Sequence, residues 1–179
     1  MSVFLQPLQT VTVGSGGAST ITFSNIPQTY TDLVLKISAR ADTTNSPYID
    51  QDLILRFNGV SSSYSDTRLV GTWSSAISVR DSGGNMYGPQ IAPSNATSNT
   101  FSSNEIYIPN YANSNYKSVI IDSVNESNTT TSNGGYQMRF TAGLWSNTAA
   151  ITSITFFSAL GNIVQYSVFS LYGVLRQGI

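Results

Sequence analysis

The run Leu53-Ile54-Leu55-Arg56-Phe57-Asn58-Gly59 decides the fold class. Leu53, Leu55 and Phe57 fall on one side of an extended chain, and Arg56 falls on the other. Such alternation marks a half-buried strand. Asn58 and Gly59 both tolerate positive φ, so the run predicts a strand closed by a tight turn. The same period recurs at 18–23, where Ile21 and Phe23 oppose Thr20 and Thr22, and at 33–38, where Leu33, Leu35 and Ile37 oppose Val34, Lys36 and Ser38. Further strands are expected at 68–71, 76–79, 104–108, 118–124, 136–144, 151–157 and 164–172, the last with a bulge near Phe169-Ser170 where the phase changes.

Turn formers fill the gaps, as in Gly14-Ser15-Gly16-Gly17, Asp81-Ser82-Gly83-Gly84-Asn85 and the stretch 109–115. No window carries the i, i+3, i+4, i+7 apolar stripe of an amphipathic helix. About ten short antiparallel strands with little helix predict an all-β protein, a jelly-roll-like β-sandwich. A chain of 179 residues suits one domain at 13–179, preceded by residues 1–12 as an arm or an edge strand. Pro7, which cannot donate to a ladder, favours an edge.

Composition narrows the function. The chain has no His and no Cys, only 9% charged residues and a formal net charge of -1, while Ser, Thr and Asn fill 62 positions. Eight Lys and Arg spread singly give no basic face for phosphates, so nucleic acid is not an expected partner. No polybasic segment flanks an apolar helix, and no apolar run approaches a membrane span, so no membrane partner is expected. Met1 to Pro7 has neither the charged region nor the apolar run of a signal peptide. A surface this poor in charge suits a protein docked in an assembly, because charge is what keeps free proteins apart.

Most catalytic chemistry is missing its parts. Without His or Cys the familiar nucleophile–base pairs cannot form, and Lys36 and Lys117 sit in no Ser–Lys motif. Asp122 with Glu126, or Asp50 with Asp52, are the carboxylate pairs closest in sequence to a glycosidase arrangement, and the second pair is also the best candidate for Ca²⁺. Loop solvation and Asx-turns explain them more simply, so no enzyme activity, metal or cofactor is expected. Tyr107, Tyr111 and Tyr116 cluster around the loop 109–115, and Trp73 and Trp145 lie beside Ser and Asn. Aromatic faces of this kind stack on sugar rings, so the functional reading is a carbohydrate or protein contact patch, set against a plain sandwich core with rim tyrosines.

Five phrases in order resemble a family of small virion proteins of tailed bacteriophages, many from phages of cyanobacteria. They are Ile26-Pro27 through Tyr30-Thr31-Asp32-Leu33-Val34-Leu35; Leu55-Arg56-Phe57-Asn58-Gly59 with Tyr64-Ser65 downstream; Glu105-Ile106-Tyr107-Ile108-Pro109-Asn110-Tyr111; Leu144-Trp145-Ser146-Asn147-Thr148-Ala149-Ala150-Ile151-Thr152-Ser153-Ile154; and Leu171-Tyr172-Gly173. At Gly59-Val60-Ser61 the chain departs from the family, whose members carry Asp and Gly after the turn. The resemblance implies a jelly-roll structural protein with no catalytic residues. It implies a capsid decoration (cement) protein on the outer shell, a homotrimer bound to the major capsid protein and other virion subunits. The alternative is a tail-fibre module that holds host glycans. The expected partner contacts are Val3, Phe4 and Leu5 at the start of the chain, with Pro109, Tyr111 and Tyr116 around the loop 109–115.

Overall fold

The computed structural model describes residues 3–43, 51–72, 74–127 and 137–176. Among them the chain is all-β, with twelve antiparallel strands in two sheets and no helix. The strands are β1 (Val3–Thr12), β2 (Thr20–Phe23), β3 (Asp32–Ser38), β4 (Gln51–Phe57), β5 (Tyr64–Gly71), β6 (Ala76–Ser82), β7 (Met86–Ile91), β8 (Ser103–Pro109), β9 (Lys117–Asn125), β10 (Gln137–Trp145), β11 (Ile154–Ser158) and β12 (Val168–Arg176). One sheet has eight strands in the order β1-β12-β3-β8-β9-β10-β5-β6, and the other has four, β2-β11-β4-β7.

The chain crosses from one sheet to the other at each step from β1 to β5, and again at each step from β6 to β8 and from β10 to β12. The hairpins β5–β6 and β9–β10 stay in the large sheet and widen it. The two sheets share a core of Ile21, Phe23, Leu53, Leu55, Phe57 and Phe156 from the small sheet against Leu33, Leu35, Ile37, Ile106, Ile108, Phe169 and Leu171 from the large one. The alternation that marked 53–57 is therefore the burial alternation, and the one at 33–38 is so apart from Val34, which is buried as well. Each such side chain taken out of water contributes about 1.5–3 kcal/mol.

The deciding run behaves as its residues require. β4 ends at Phe57, Asn58 (φ 52°) and Gly59 (φ 69°) turn left-handed, and the Val60 amide donates to the Phe57 carbonyl at 2.9 Å. The Asn58 side chain also fixes a neighbouring loop, because its Oδ1 accepts from the amides of Thr152 and Ser153 at 2.8 and 3.1 Å. Those amides are thus diverted from a ladder, and the strand expected from 151 starts only at Ile154.

Two other expectations are corrected. The strand expected from 164 starts at Val168, because Tyr166 takes φ 71° in a turn closed by Ser167 N–H to Val164 O at 3.3 Å. No bulge interrupts the pairing of β12 with β3 at Phe169-Ser170; the register shift lies on β1, between Pro7 and Gln9. β7 was not anticipated: Gly88-Pro89 reads as a break in the sequence, yet Pro fits an edge strand, and β7 pairs with β4 alone.

Candidate interaction surface

The small sheet is four strands wide and the large one eight, so β9, β10 and β5 overhang the free edge of β7. Amides and carbonyls on a buried edge need partners. The overhang supplies them from side chains that point inward. Asp66 Oδ2 accepts from the Tyr87 amide at 3.1 Å, Ser123 Oγ accepts from the Gln90 amide at 3.3 Å, and the Arg139 guanidinium donates to the Gly88 carbonyl. Arg139 also pairs with Asp52 at 2.7 Å, both nearly buried. Arg68 bridges Asp66 and Asp81, lying 2.9 Å from Asp66 without the alignment of a hydrogen bond, and its guanidinium sits 4.2 Å from the Tyr87 ring centroid. Gln90 Nε2 donates to Gln137 Oε1 at 2.8 Å. The inner face of this strip is polar because an edge strand lies beneath it.

The outer face of the same strip is apolar. Side chains alternate across a strand, so Arg139 and Thr141 inward place Met138 and Phe140 outward, and Arg68 inward places Leu69 outward. The pairs Met138↔Val124, Phe140↔Leu69 and Ala142↔Ile120 gather these residues into one patch. Met138 is 65% exposed, Leu69 57%, Val124 49%, Phe140 47% and Ile120 42%. Leu69, Val124, Met138 and Phe140, with Gly71 and Ala76, line a shallow hollow of about 380 Å³. Asp122 carries the only charge directed outward from the three strands.

The residues expected at a partner contact are not brought together. Phe4 (65% exposed) and Leu5 (47%) lie on β1, the opposite edge of the large sheet, with Val3 on the same strand. β1 pairs with β12 from Val3↔Arg176 to Thr12↔Val168, so this segment is a paired edge. Pro109 ends β8 and is half-buried, and Tyr116 is exposed just before β9. Tyr111 is corrected: it is fully buried, its hydroxyl donates to the Pro27 carbonyl, and burial raises its pKa. A bulky phenol one residue past the left-handed Asn110 turns back into the core instead of facing a partner.

Of the other candidate aromatics, Trp145 is buried, stacked on Tyr64 with ring centroids 6.1 Å apart, and Tyr107 donates to Asp32 at 2.7 Å. Trp73 and Asp50 lie outside the described residues. Lys36 pairs with Glu105, while Lys117 is buried and donates to the carbonyls of Asn113 and Asn115 at 2.8 and 2.5 Å; burial lowers its pKa. Asp122 points outward from β9, and Glu126 accepts from the Ser127 amide at 3.0 Å. No three His, Cys, Asp or Glu side chains gather into a metal site among the described residues.

Sequence reasoning missed the apolar patch, although two signals were present. Val119-Ile120-Ile121 puts apolar residues on both faces of one strand, and Met138-Arg139-Phe140-Thr141 alternates as cleanly as any core strand. No family model matches the chain, and neither the curated proteins nor the solved structures hold a significant match to it.

Proposed function

We propose that this chain is a structural protein of a tailed-bacteriophage virion, a decoration protein seated on the shell of major capsid subunits. The observation that carries this reading is the outward apolar strip of Leu69, Ile120, Val124, Met138 and Phe140. The free chain has no use for these side chains in water, whereas a docked subunit gains from covering them. A patch with one charge in it suits a partner face that is itself apolar and neutral, and disfavours polyanions.

The resemblance of the ordered phrases to small phage virion proteins supports the same reading, as does the low overall charge. The connectivity supports it too. With the hairpins β5–β6 and β9–β10 set aside, the strands pair as 1-12-3-8 and 2-11-4-7, which we read as a jelly roll with two inserted hairpins. In this proposal the edge strand β1, with Phe4 and Leu5, joins copies into a homotrimer, and the outward strip faces the shell. Binding only to the assembled lattice stabilises it by mass action.

The test is to purify virions and count this chain against the major capsid protein by quantitative mass spectrometry, with and without Phe140→Asp. The expected result is a stoichiometric share of the shell, lost in the variant while the isolated variant stays folded. A handful of copies per particle, or none, overturns the proposal.

A further inference from the structure

Six described non-glycine residues adopt positive φ: Asn25, Asn58, Asn99 and Asn110, then Ser63, and Tyr166 at 71°. Asn reaches this region at little cost because its short side chain bonds locally, whereas a bulky aromatic residue is strained there. Burial does not offset the strain at Tyr166, which is 70% exposed. Its backbone is nevertheless held in place, with its amide donating to the Val13 carbonyl at 3.0 Å. Strain of this kind, held by its surroundings, points to use.

Beside Tyr166 lies an open hollow of about 340 Å³, lined also by Arg40, Ser98, Asn99, Phe101, Val164 and Gln165. Arg40 fixes one wall. Its guanidinium donates to the carbonyls of Ser94, Ala96, Thr97 and Thr100 at 2.8 to 3.0 Å, pinning the loop that carries Ser98 and Asn99. Four of its five N–H groups are spent there, and no carboxylate lines the hollow. Ser98, Asn99 and Gln165 line the hollow beside the apolar and aromatic side chains of Phe101, Val164 and Tyr166.

We propose that this hollow binds a neutral saccharide, with a pyranose stacked on Tyr166 and its hydroxyls bonded by Asn99, Gln165 and Ser98. A pyranose presents C–H groups on its flat faces, which suit an aromatic face, and hydroxyls around its rim. Each rim hydroxyl both donates and accepts, as a carboxamide does, so Asn and Gln match it in either direction. The volume falls at the low end of small-molecule sites, which span roughly 300–1,000 Å³. Arg40 has little left to offer an acidic group, so the fit is to a neutral ring. The site lies on the loops before β8 and β12, away from the β9–β10–β5 strip, and so goes beyond the shell-docking reading.

The isolated chain, with Tyr166→Asn and Tyr166→Phe, is tested against immobilised neutral oligosaccharides ending in glucose, galactose, mannose or N-acetylglucosamine. Sialylated glycans and linear peptides form separate arms. The expected result is neutral-glycan binding by the wild type and the Phe variant, weakened about tenfold or more in Tyr166→Asn, a loss of ~1.4 kcal/mol. The Asn variant should melt no lower than the wild type, because Asn tolerates this φ. Binding that survives Tyr166→Asn, capture of only sialylated glycans or peptides, or no capture at all overturns the proposal. Copy number in virions is untouched by any of these outcomes, so the two proposals fail separately.

Discussion

The two halves of the eight-stranded sheet carry opposite polarities. In the half made of β1, β12, β3 and β8, the inward residues are Leu33, Leu35, Ile37, Ile106, Ile108, Phe169 and Leu171, and the outward ones include Lys36, Glu105 and Ser170. Along the strip of β9, β10 and β5, Ser123, Asn125, Arg139, Thr141, Asp66 and Arg68 point inward while Val124, Met138, Phe140 and Leu69 point outward. The difference lies in what sits opposite. The first half lies against β2, β11 and β4, of which β11 and β4 are paired on both sides, and its inward residues are apolar apart from Asn104 on β8. The second half faces the free edge of β7, whose amides and carbonyls must be satisfied by side chains. The inward reversal thus has a cause inside the fold. The outward reversal has none there, and the proposed docking face rests on this asymmetry.

The largest effect belongs to the ordinary half. Phe169 packs against Phe156 across the sandwich with ring centroids 5.6 Å apart. Phe169→Ala should cost about 4 kcal/mol in a urea titration, from lost burial plus the cavity left behind. In the reversed half the rule for apolar substitution inverts. Arg139→Met puts an apolar chain at an inward position, yet it takes the guanidinium away from Asp52 and from the Gly88 carbonyl. The expected loss is about 3 kcal/mol. A Met variant as stable as the wild type would mean that the polar lining is incidental, and the comparison would collapse.

Next in size is a pH effect at the far end of β5 and β10, where the interior turns apolar again. Tyr64 lies between Phe57 and Trp145, centroids 6.1 Å from each, and its hydroxyl accepts from the Phe57 amide at 2.8 Å. Burial pushes its pKa up to about 12. The unfolded phenol ionises first as the pH rises, so the contribution is whole below pH 10 and lost between 10 and 12. At 1.36 kcal/mol per unit that is about 2 to 3 kcal/mol. Tyr111, also raised by burial, adds to the fall in the same sense, while Lys117, lowered by burial, acts in the opposite sense below its ordinary value of 10.5. Tyr64→Phe should reduce the alkaline fall above pH 10.5, leaving the share of Tyr111, and cost about 1 kcal/mol at neutral pH for its lost hydrogen bonds. An unchanged alkaline fall in the Phe variant would place the titrating group elsewhere.

Alternation made the strands legible because it is local. The β4 pattern reads directly as burial, as does that of β3 apart from Val34, and Asn58-Gly59 names its own turn. Which face of β10 points inward is not local. Met138-Arg139-Phe140-Thr141 reads equally well either way up, and only the position of the β7 edge settles it. The same nonlocality hid β7 itself, since Gly88-Pro89 is a break on a central strand and admissible on an edge. Tyr111 looked like a rim residue for want of any sign that its loop folds back onto Pro27. Tyr166 looked like a strand residue because a left-handed tyrosine has no sequence signature.

The smallest predicted effect on stability bears most directly on the outward face. Met138→Ser and Phe140→Ser alter side chains that are 65% and 47% exposed and whose strands keep every ladder bond. If the strip is structural, each should cost as a half-buried core position does, on the order of 1 kcal/mol or more. If it exists for a partner, the isolated chain should stay within about 0.5 kcal/mol of the wild type, as surface changes do. Binding of a hydrophobic dye should then fall, because the patch that attracted it has become polar. Urea midpoints and dye fluorescence on the same samples separate the two. Large destabilisation would return Phe140 to the fold's own packing, while loss of the dye signal at constant stability would leave the strip without an internal role. Only in that second outcome does the reversal between the two halves require something outside the chain.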